Sequence, residues 1–256
     1  RTVDERFVPV GAAQYGSLGD SMAFQFSEDG AVWVGSNKGG SGSLRAGGYI
    51  FRLAPQRNTM VAYDPDSGPI WKMIRGLDNS LWLAAERGLV HFDESTVARY
   101  TRAHGVPSDA VVTTRTTDGS LWFGNPLNNA TQEERFLARM EVPEDYSESG
   151  PIRLITAEHG RKIDQPWALE AGLDGDVWVG GLGGTIQHYD GSAGSEGDVR
   201  LTSLPDVLGF AAFSGTDFLL ADHSLWIAHF DFGLKKIRLD EIDLPGATAT
   251  IITVPN

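Results

Sequence analysis

Two tryptophans and two arginines recur at fixed distances ahead of a repeated Asp-containing turn, and they are the first candidates for binding chemistry. Trp71 and Trp167 each lie seven residues before a turn Asp, whereas Arg75 and Arg115 each lie three residues before one. Aromatic faces beside guanidinium groups suit a sugar or a carboxylated small molecule. The alternative is structural, with acidic residues such as Glu170 or Asp217 neutralising the arginines. The predicted ligand-binding set is Trp71, Lys72, Arg75, Arg115, Trp167 and Glu170.

Catalytic chemistry has much less support in this sequence. His229 and Asp231 are close enough along the chain to form an acid–base pair, and they are the best catalytic candidates. The six histidines are scattered, and neither a zinc-binding His spacing nor a Gly-x-Ser-x-Gly nucleophile motif is present. The chain has no Cys, which excludes thiolate metal clusters and a cysteine nucleophile. The balance favours a protein without metal, cofactor or enzymatic activity.

The charge balance of the chain limits its partners. The 256 residues include 34 acidic and 21 basic side chains, which gives a net charge of −13. Because binding to nucleic acid depends on Lys and Arg, nucleic acid is not expected as a partner. No apolar segment approaches the ~18 residues that span a bilayer, so this segment itself is not expected to contact a membrane.

One short motif occurs five times and organises the whole chain. In each copy a turn containing Asp precedes an apolar-Trp-apolar segment, and the Trp-to-Trp steps are 49, 40, 56 and 48 residues. This order predicts a β-hairpin, and further strand-like segments lie on either side of it. Four strands in each repeat are typical of a β-propeller blade. The five core tryptophans are Trp33, Trp82, Trp122, Trp178 and Trp226.

We therefore predict an all-β propeller of four-stranded antiparallel blades. The core tryptophans are expected to fill the gap between neighbouring sheets, which makes them packing residues. His91 and His188 share a third-strand position and are expected to face solvent or a neighbouring blade. The length favours closure at five blades, and the alternative is part of a larger propeller. The blades are expected at about residues 17–66, 67–106, 107–162, 163–206 and 207–256, with residues 1–16 as a closing or preceding strand.

The second copy of the motif carries a family resemblance. Asp78 to Asp93, followed by Tyr100 to Asp109, resembles the repeat of the two-component regulator propellers. Those are extracytoplasmic sensor domains, so the resemblance implies a periplasmic or extracellular propeller that takes part in signal transduction. The Asp-Gly-x-Leu-Trp core is also similar, more loosely, to virginiamycin B lyase propellers. The motif is specific for the fold and not for a function, because one fold supports many unrelated sites.

Three functions are compatible with these features. The first is a non-enzymatic recognition propeller, either the sensing domain of a signalling protein or an exported binding protein, with a small polar or carbohydrate-like ligand at the channel mouth. The second is a lyase or glycan-acting hydrolase that uses residues at the same mouth. The third is a scaffold that holds a protein partner on a propeller face. Two long loops, residues 36–48 and 125–135, are either lids for a ligand or tolerated insertions.

Overall fold

The computed structural model consists almost entirely of β-strands in the residues that it describes. The one short helical element among them is a 3-10 turn at Arg102–His104. Within this part of the chain no helix is both long and apolar enough to span a membrane. The chain divides into two compact units, residues 1–100 and 101–256. The described residues are 21–36, 48–54, 60–106, 109–125, 136–142, 150–155, 166–172, 175–181, 186–189, 216–229, 233–241 and 250–252.

The first unit contains two four-stranded antiparallel sheets, in which strands that follow each other along the chain are neighbours. One sheet contains β1 (Ser21–Phe26), β2 (Val32–Ser36), β3 (Ile50–Leu53) and β4 (Met60–Tyr63). The other contains β5 (Ile70–Arg75), β6 (Leu81–Ala85), β7 (Gly88–Phe92) and β8 (Val97–Tyr100).

The second unit contains three sheets with the same strand order. The first contains β9 (Val112–Arg115), β10 (Leu121–Asn125), β11 (Phe136–Met140) and β12 (Ile152–Ile155). The next has three described strands, β13 (Pro166–Ala171), β14 (Val177–Gly181) and β15 (Ile186–Tyr189). The last contains β16 (Thr216–Ala221), β17 (Ser224–His229), β18 (Gly233–Arg238) and β19 (Thr250–Ile252).

Five such sheets make the chain a five-bladed β-propeller, which confirms the predicted fold class and blade number. Each core Trp lies on the second strand of its sheet, where the repeat predicts it. The exact limits of the blades along the chain stay a prediction.

In the first three blades, the turn between the first two strands is held by its Asp side chain. In the first blade, Asp29 Oδ1 accepts hydrogen bonds from the Ser27 hydroxyl at 2.5 Å and from the Ala31 N–H at 3.0 Å. These bonds, above all the one from Ser27, lower the pKa of Asp29. Asp118 accepts equivalent bonds in the third blade. The turns are completed by residues with positive φ, as the Asp-Gly and Asp-Asn patterns predict: Gly30, Asn79 and Gly119.

A polar side chain on the third strand lies directly opposite each core Trp. In the third blade this residue is Arg139, whose guanidinium carbon lies 5.9 Å from the centre of the Trp122 ring. Its Nη2 also lies 2.7 Å from Asp118 Oδ2 in the turn. The cation–π contact and the ion pair therefore link the third strand to the second strand and to the turn before it. The residues in this position are Arg52, His91, Arg139, His188 and Lys236.

Three of the core tryptophans pack between neighbouring sheets, as the sequence predicts. Trp33 of the first blade shares a buried cluster with Ile70 and Met73 of the second. Trp122 packs in the same way against the fourth blade, and Trp178 against the fifth. Each of these three interfaces is thus formed by a Trp of one sheet and the innermost strand of the next.

Candidate functional site

The two candidate tryptophans lie on β-bulges at the start of innermost strands. In β5 the pairing with β6 shifts between Ile70 and Lys72, which makes Trp71 the extra residue. The pairing of β13 with β14 shifts in the same way around Trp167. A bulge interrupts the hydrogen-bond ladder and redirects a side chain, and bulges are over-represented beside active sites.

The same bulge occurs in two other blades, so it belongs to the repeat. In β1 the pairing shifts around Met22. Ahead of β9, the Val111 N–H donates to the Gly124 carbonyl at 2.9 Å, although Val112 is the residue opposite Gly124. Trp71 and Trp167 stand at the same distance before a turn Asp, and this position therefore corresponds to a β-bulge that the blades share. We call this end of the blades the bulged end.

Trp71 offers two features that suit a polar ligand. Its ring is half-buried, which leaves part of an aromatic surface accessible. Its indole Nε1 is shielded from solvent and has no hydrogen-bond partner in the described part of the chain. Leaving a shielded donor unpaired costs about 1–3 kcal/mol, and a ligand oxygen within reach would remove that cost. The adjacent Lys72 is also half-buried.

Trp167 and Glu170 lie on β13 in the second unit. The Trp167 ring is half-buried, like that of Trp71. Glu170 Oε1 accepts a hydrogen bond from the Leu220 backbone N–H at 3.2 Å. Because Leu220 belongs to β16, this bond joins the innermost strands of two neighbouring blades. Glu170 therefore has a structural contact, whatever else it binds.

The arginines lie at the other end of their strands. Arg75 is the last residue of β5, four residues after Trp71, which corresponds to about 13 Å along a strand. Its Nη1 lies 3.5 Å from Glu28 Oε1, in the turn that follows β1. Arg115 is likewise the last residue of its strand, β9. The structure thus separates Arg75 from Trp71, and it pairs Arg75 with an acidic residue that sequence reasoning missed.

The catalytic candidates cannot be assembled into a site. His229 is the last residue of β17, and its backbone lies opposite Thr216 and Gly233. Asp231 lies outside the described residues, as do residues 37–47 and 126–135 of the two long loops. The acid–base pair and the lids stay predictions. Among the described residues, no three His, Asp or Glu side chains are grouped to hold a metal ion.

His91 and His188 contact the core Trp of their own blades, and the His188 side chain is 28% exposed. His91 Nε2 lies 2.7 Å from Ser80 Oγ, and the His91 ring lies 4.6 Å from that of Trp82. Burial lowers the pKa of His91 and favours the neutral imidazole. His188 stacks on the core Trp of its blade at 4.1 Å. Both positions follow from strand register, which the sequence alone does not provide.

Comparison with known proteins identifies the fold and no family. No family model matches the chain, and no curated protein matches its sequence. Among solved structures, virginiamycin B lyase from Staphylococcus aureus matches with a TM-score of 0.64 and 16% identity, over 93% of this chain and 71% of that chain. A catalytically inactive histidine-to-alanine form of that lyase with quinupristin matches with a TM-score of 0.65 and 16% identity, over 92% of this chain and 70% of that chain.

A sensor protein is also among the similar structures. The extracellular domain of a hybrid two-component system from B. thetaiotaomicron matches with a TM-score of 0.50 and 16% identity, over 98% of this chain and 39% of that chain. The two groups that the sequence motif resembles are thus both found by structure. At these identities the likeness establishes the β-propeller fold and no activity.

Proposed function

We propose that the chain is a non-enzymatic recognition propeller that binds a small polar or carbohydrate-like ligand at the bulged end of its blades. The observation that carries the proposal is the recurring β-bulge, which in two blades presents a half-buried Trp. Aromatic rings stack on the apolar faces of sugars, while neighbouring polar groups bind the hydroxyls. Trp71 and Lys72 supply these features in the first unit, and Trp167 supplies a ring in the second.

The arginines take a structural role in this proposal. Arg75 already has Glu28 as a partner at the turn end of its blade. Arg115 has the equivalent position in the third blade, opposite the residue that precedes the core Trp. Glu170 contributes through its bond to Leu220, which holds two innermost strands together.

We further propose that the protein works outside the cytoplasm, as a sensing domain or as an exported binding protein. The resemblance of the second repeat to two-component regulator propellers supports this location, and one similar structure is an extracellular domain of a two-component system. A protein partner on a propeller face is compatible with such a role, since sensor domains pass their signal to other domains.

Isothermal titration calorimetry against neutral and uronic-acid oligosaccharides tests the proposed ligand class. Trp71→Ala should weaken binding at the first unit, and Trp167→Ala binding at the second, by about 5- to 12-fold each, since an aromatic contact is worth roughly 1–1.5 kcal/mol. Val111→Ala is the matched control, because Val111 occupies the equivalent bulge of the third blade and has no aromatic ring. Binding that survives both Trp substitutions would contradict the site, and failure of every compound to bind would contradict the ligand class.

The enzymatic alternative has a direct test of its own. A similar structure is a lyase form with quinupristin, so quinupristin is the probe for lyase activity in this chain. Mass spectrometry of quinupristin after incubation with the protein should show unchanged compound. Conversion that disappears in the His229→Ala variant would overturn the non-enzymatic assignment.

A further inference from the structure

Two arginines share one carboxylate at the bulged end of the second blade. Arg87 lies in the turn between β6 and β7, and Arg99 lies on β8. Both contact Asp66 through Nη1, Arg87 at Oδ1 and Arg99 at Oδ2. Both also donate to the Asp66 carbonyl oxygen, Arg87 at 3.5 Å and Arg99 at 3.1 Å. All three residues belong to the first unit, and we call Arg87 and Arg99 the arginine pair.

The arginine pair uses only part of its hydrogen-bonding capacity. A guanidinium group presents five N–H donors in a planar fork. In the described part of the chain, both arginines make their polar contacts through Nη1, so Nε and Nη2 stay available. The side chains are 56% and 41% exposed, so a ligand can reach them. Arg238 shows the satisfied arrangement, since its Nε and Nη2 lie 3.0 Å and 2.6 Å from the two carboxylate oxygens of Asp240.

The charge of the arginine pair is only partly compensated. The hydrogen bond from Arg99, together with the charges of both arginines, lowers the pKa of Asp66, so this carboxyl group is ionised. Glu86 lies beside Gly68 and forms no ion pair with either arginine among the described residues. Two arginines and one aspartate therefore leave one positive charge on the surface of a chain whose net charge is −13.

The arginine pair lies near the proposed site at Trp71. The Arg87 N–H donates to the Ser67 carbonyl at 3.0 Å, which fixes the β6–β7 turn to the segment that enters β5. Arg87 Cγ lies 3.6 Å from the position that a Cβ on Gly68 would take. Trp71 follows Gly68 by three residues, a distance of at most about 11 Å along the chain. The Trp71 ring and the arginine pair are thus within the span of one oligosaccharide.

We propose that the ligand of the first unit is an acidic oligosaccharide, whose carboxylate or sulfate group binds Arg87 and Arg99 while a sugar ring packs on Trp71. This inference rests on the proposed function, which assigns the sugar ring to Trp71, and it adds the charge of the ligand. Guanidinium groups bind planar oxyanions through two parallel hydrogen bonds, which gives specificity as well as affinity. A neutral oligosaccharide lacks the group that the arginine pair binds, so the acidic compound is preferred.

Isothermal titration calorimetry with a uronic-acid oligosaccharide and its carboxyl-reduced, neutral counterpart tests this preference. The measurements use the Trp167→Ala background, which weakens binding at the second unit. The parent should bind the acidic compound at least about tenfold more tightly than the neutral one. Adding Arg87→Gln and Arg99→Gln should remove this preference and leave the affinity for the neutral compound unchanged, whereas Trp71→Ala should weaken both. Arg238→Gln is the matched control and should keep the preference, because Arg238 is 61% exposed and its fork is already occupied by Asp240.

Sulfate alone tests the arginine pair without a sugar. Sulfate also stabilises proteins in general, so the reference is chloride at equal ionic strength and the comparison is with the double Arg variant. At ~10 mM sulfate, the melting temperature of the wild type should rise by about 2 °C more than that of the double variant. An equal rise in both proteins would overturn the anion site.

The two experiments separate this inference from the proposed function. Equal affinity of the parent for the acidic and neutral compounds would overturn the inference and leave the Trp71 site standing, as would a double variant that keeps the preference. Sulfate stabilisation that depends on the arginine pair, without binding of any oligosaccharide, would support the anion site and overturn the sugar as its ligand.

Discussion

Trp122→Ala should lower the free energy of unfolding by about 3–5 kcal/mol, because the ring is enclosed between two sheets. The side chain is 1% exposed and packs with Leu169 and Val179 of the neighbouring blade. The ring of Tyr189 lies 4.5 Å away, and Arg139 lies over the face of the indole. For a domain of this size, each kcal/mol corresponds to about 2–4 °C, so we expect the melting temperature to fall by about 6–20 °C.

Trp226→Ala is the matched control for this packing argument. Trp226 has the same place in the motif, and Lys236 lies over its ring at 4.8 Å, yet the residue is only half-buried. We expect the free energy of unfolding to fall by about 1–2 kcal/mol, since the half-buried Trp226 buries less apolar surface than Trp122 does. Urea unfolding followed by circular dichroism measures both variants, and Trp122→Phe gives an intermediate value if the Ala variant does not fold. Equal losses at Trp122 and Trp226 would refute burial between blades as the source of the effect.

Three further predictions follow from individual contacts. The pKa of His91 is lowered in the folded state, so folding disfavours the protonated imidazole. The stability that neutral His91 contributes is therefore present above its ordinary pKa of 6.5 and is lost as the pH falls below that value. In His91→Gln, the urea midpoint should fall less between about pH 7 and 5 than it does in the wild type. In Gly124→Ala, the new Cβ would lie 2.8 Å from the Phe136 carbonyl oxygen and 2.8 Å from Pro166 Cγ, so thermal unfolding should show a loss of about 1–3 kcal/mol. Arg75→Ala should cost less than about 1 kcal/mol in urea unfolding and leave calorimetric ligand affinity unchanged, because its ion pair with Glu28 is partly exposed; a loss of affinity as large as in Trp71→Ala would place Arg75 in the site.

The fold could be predicted from the sequence because its signal is local and repeated. The Asp turns of the first three blades are fixed by hydrogen bonds within five residues, as between Ser27, Asp29 and Ala31. Each core Trp follows that turn at a constant distance. Five copies of such a short-range pattern specify the strands and the blade number without any knowledge of long-range contacts.

The candidate site could be predicted only in part, because it depends on register. Sequence spacing shows that Trp71 and Trp167 occupy equivalent positions in their repeats, but it does not show that both positions are β-bulges. It also groups Arg75 with Trp71, although Arg75 lies four positions further along the strand and pairs with Glu28. The tight turn at Asp222 shifts the last blade by one residue, so Leu220 and not Leu219 is the equivalent of Arg75.

The proposed site can be compared with the turn end of the blades through the polar groups that are already hydrogen-bonded there. At the turn end, Asp29 and Asp118 accept several local hydrogen bonds, and Arg75 has an acidic partner. A ligand there exchanges existing bonds for new ones, which gives little net free energy. At the bulged end the ladder is interrupted, and the Trp71 indole N–H has no acceptor in the described structure. A ligand that accepts this hydrogen bond would add an interaction without breaking one, which is the physical reason for proposing the bulged end as the binding surface.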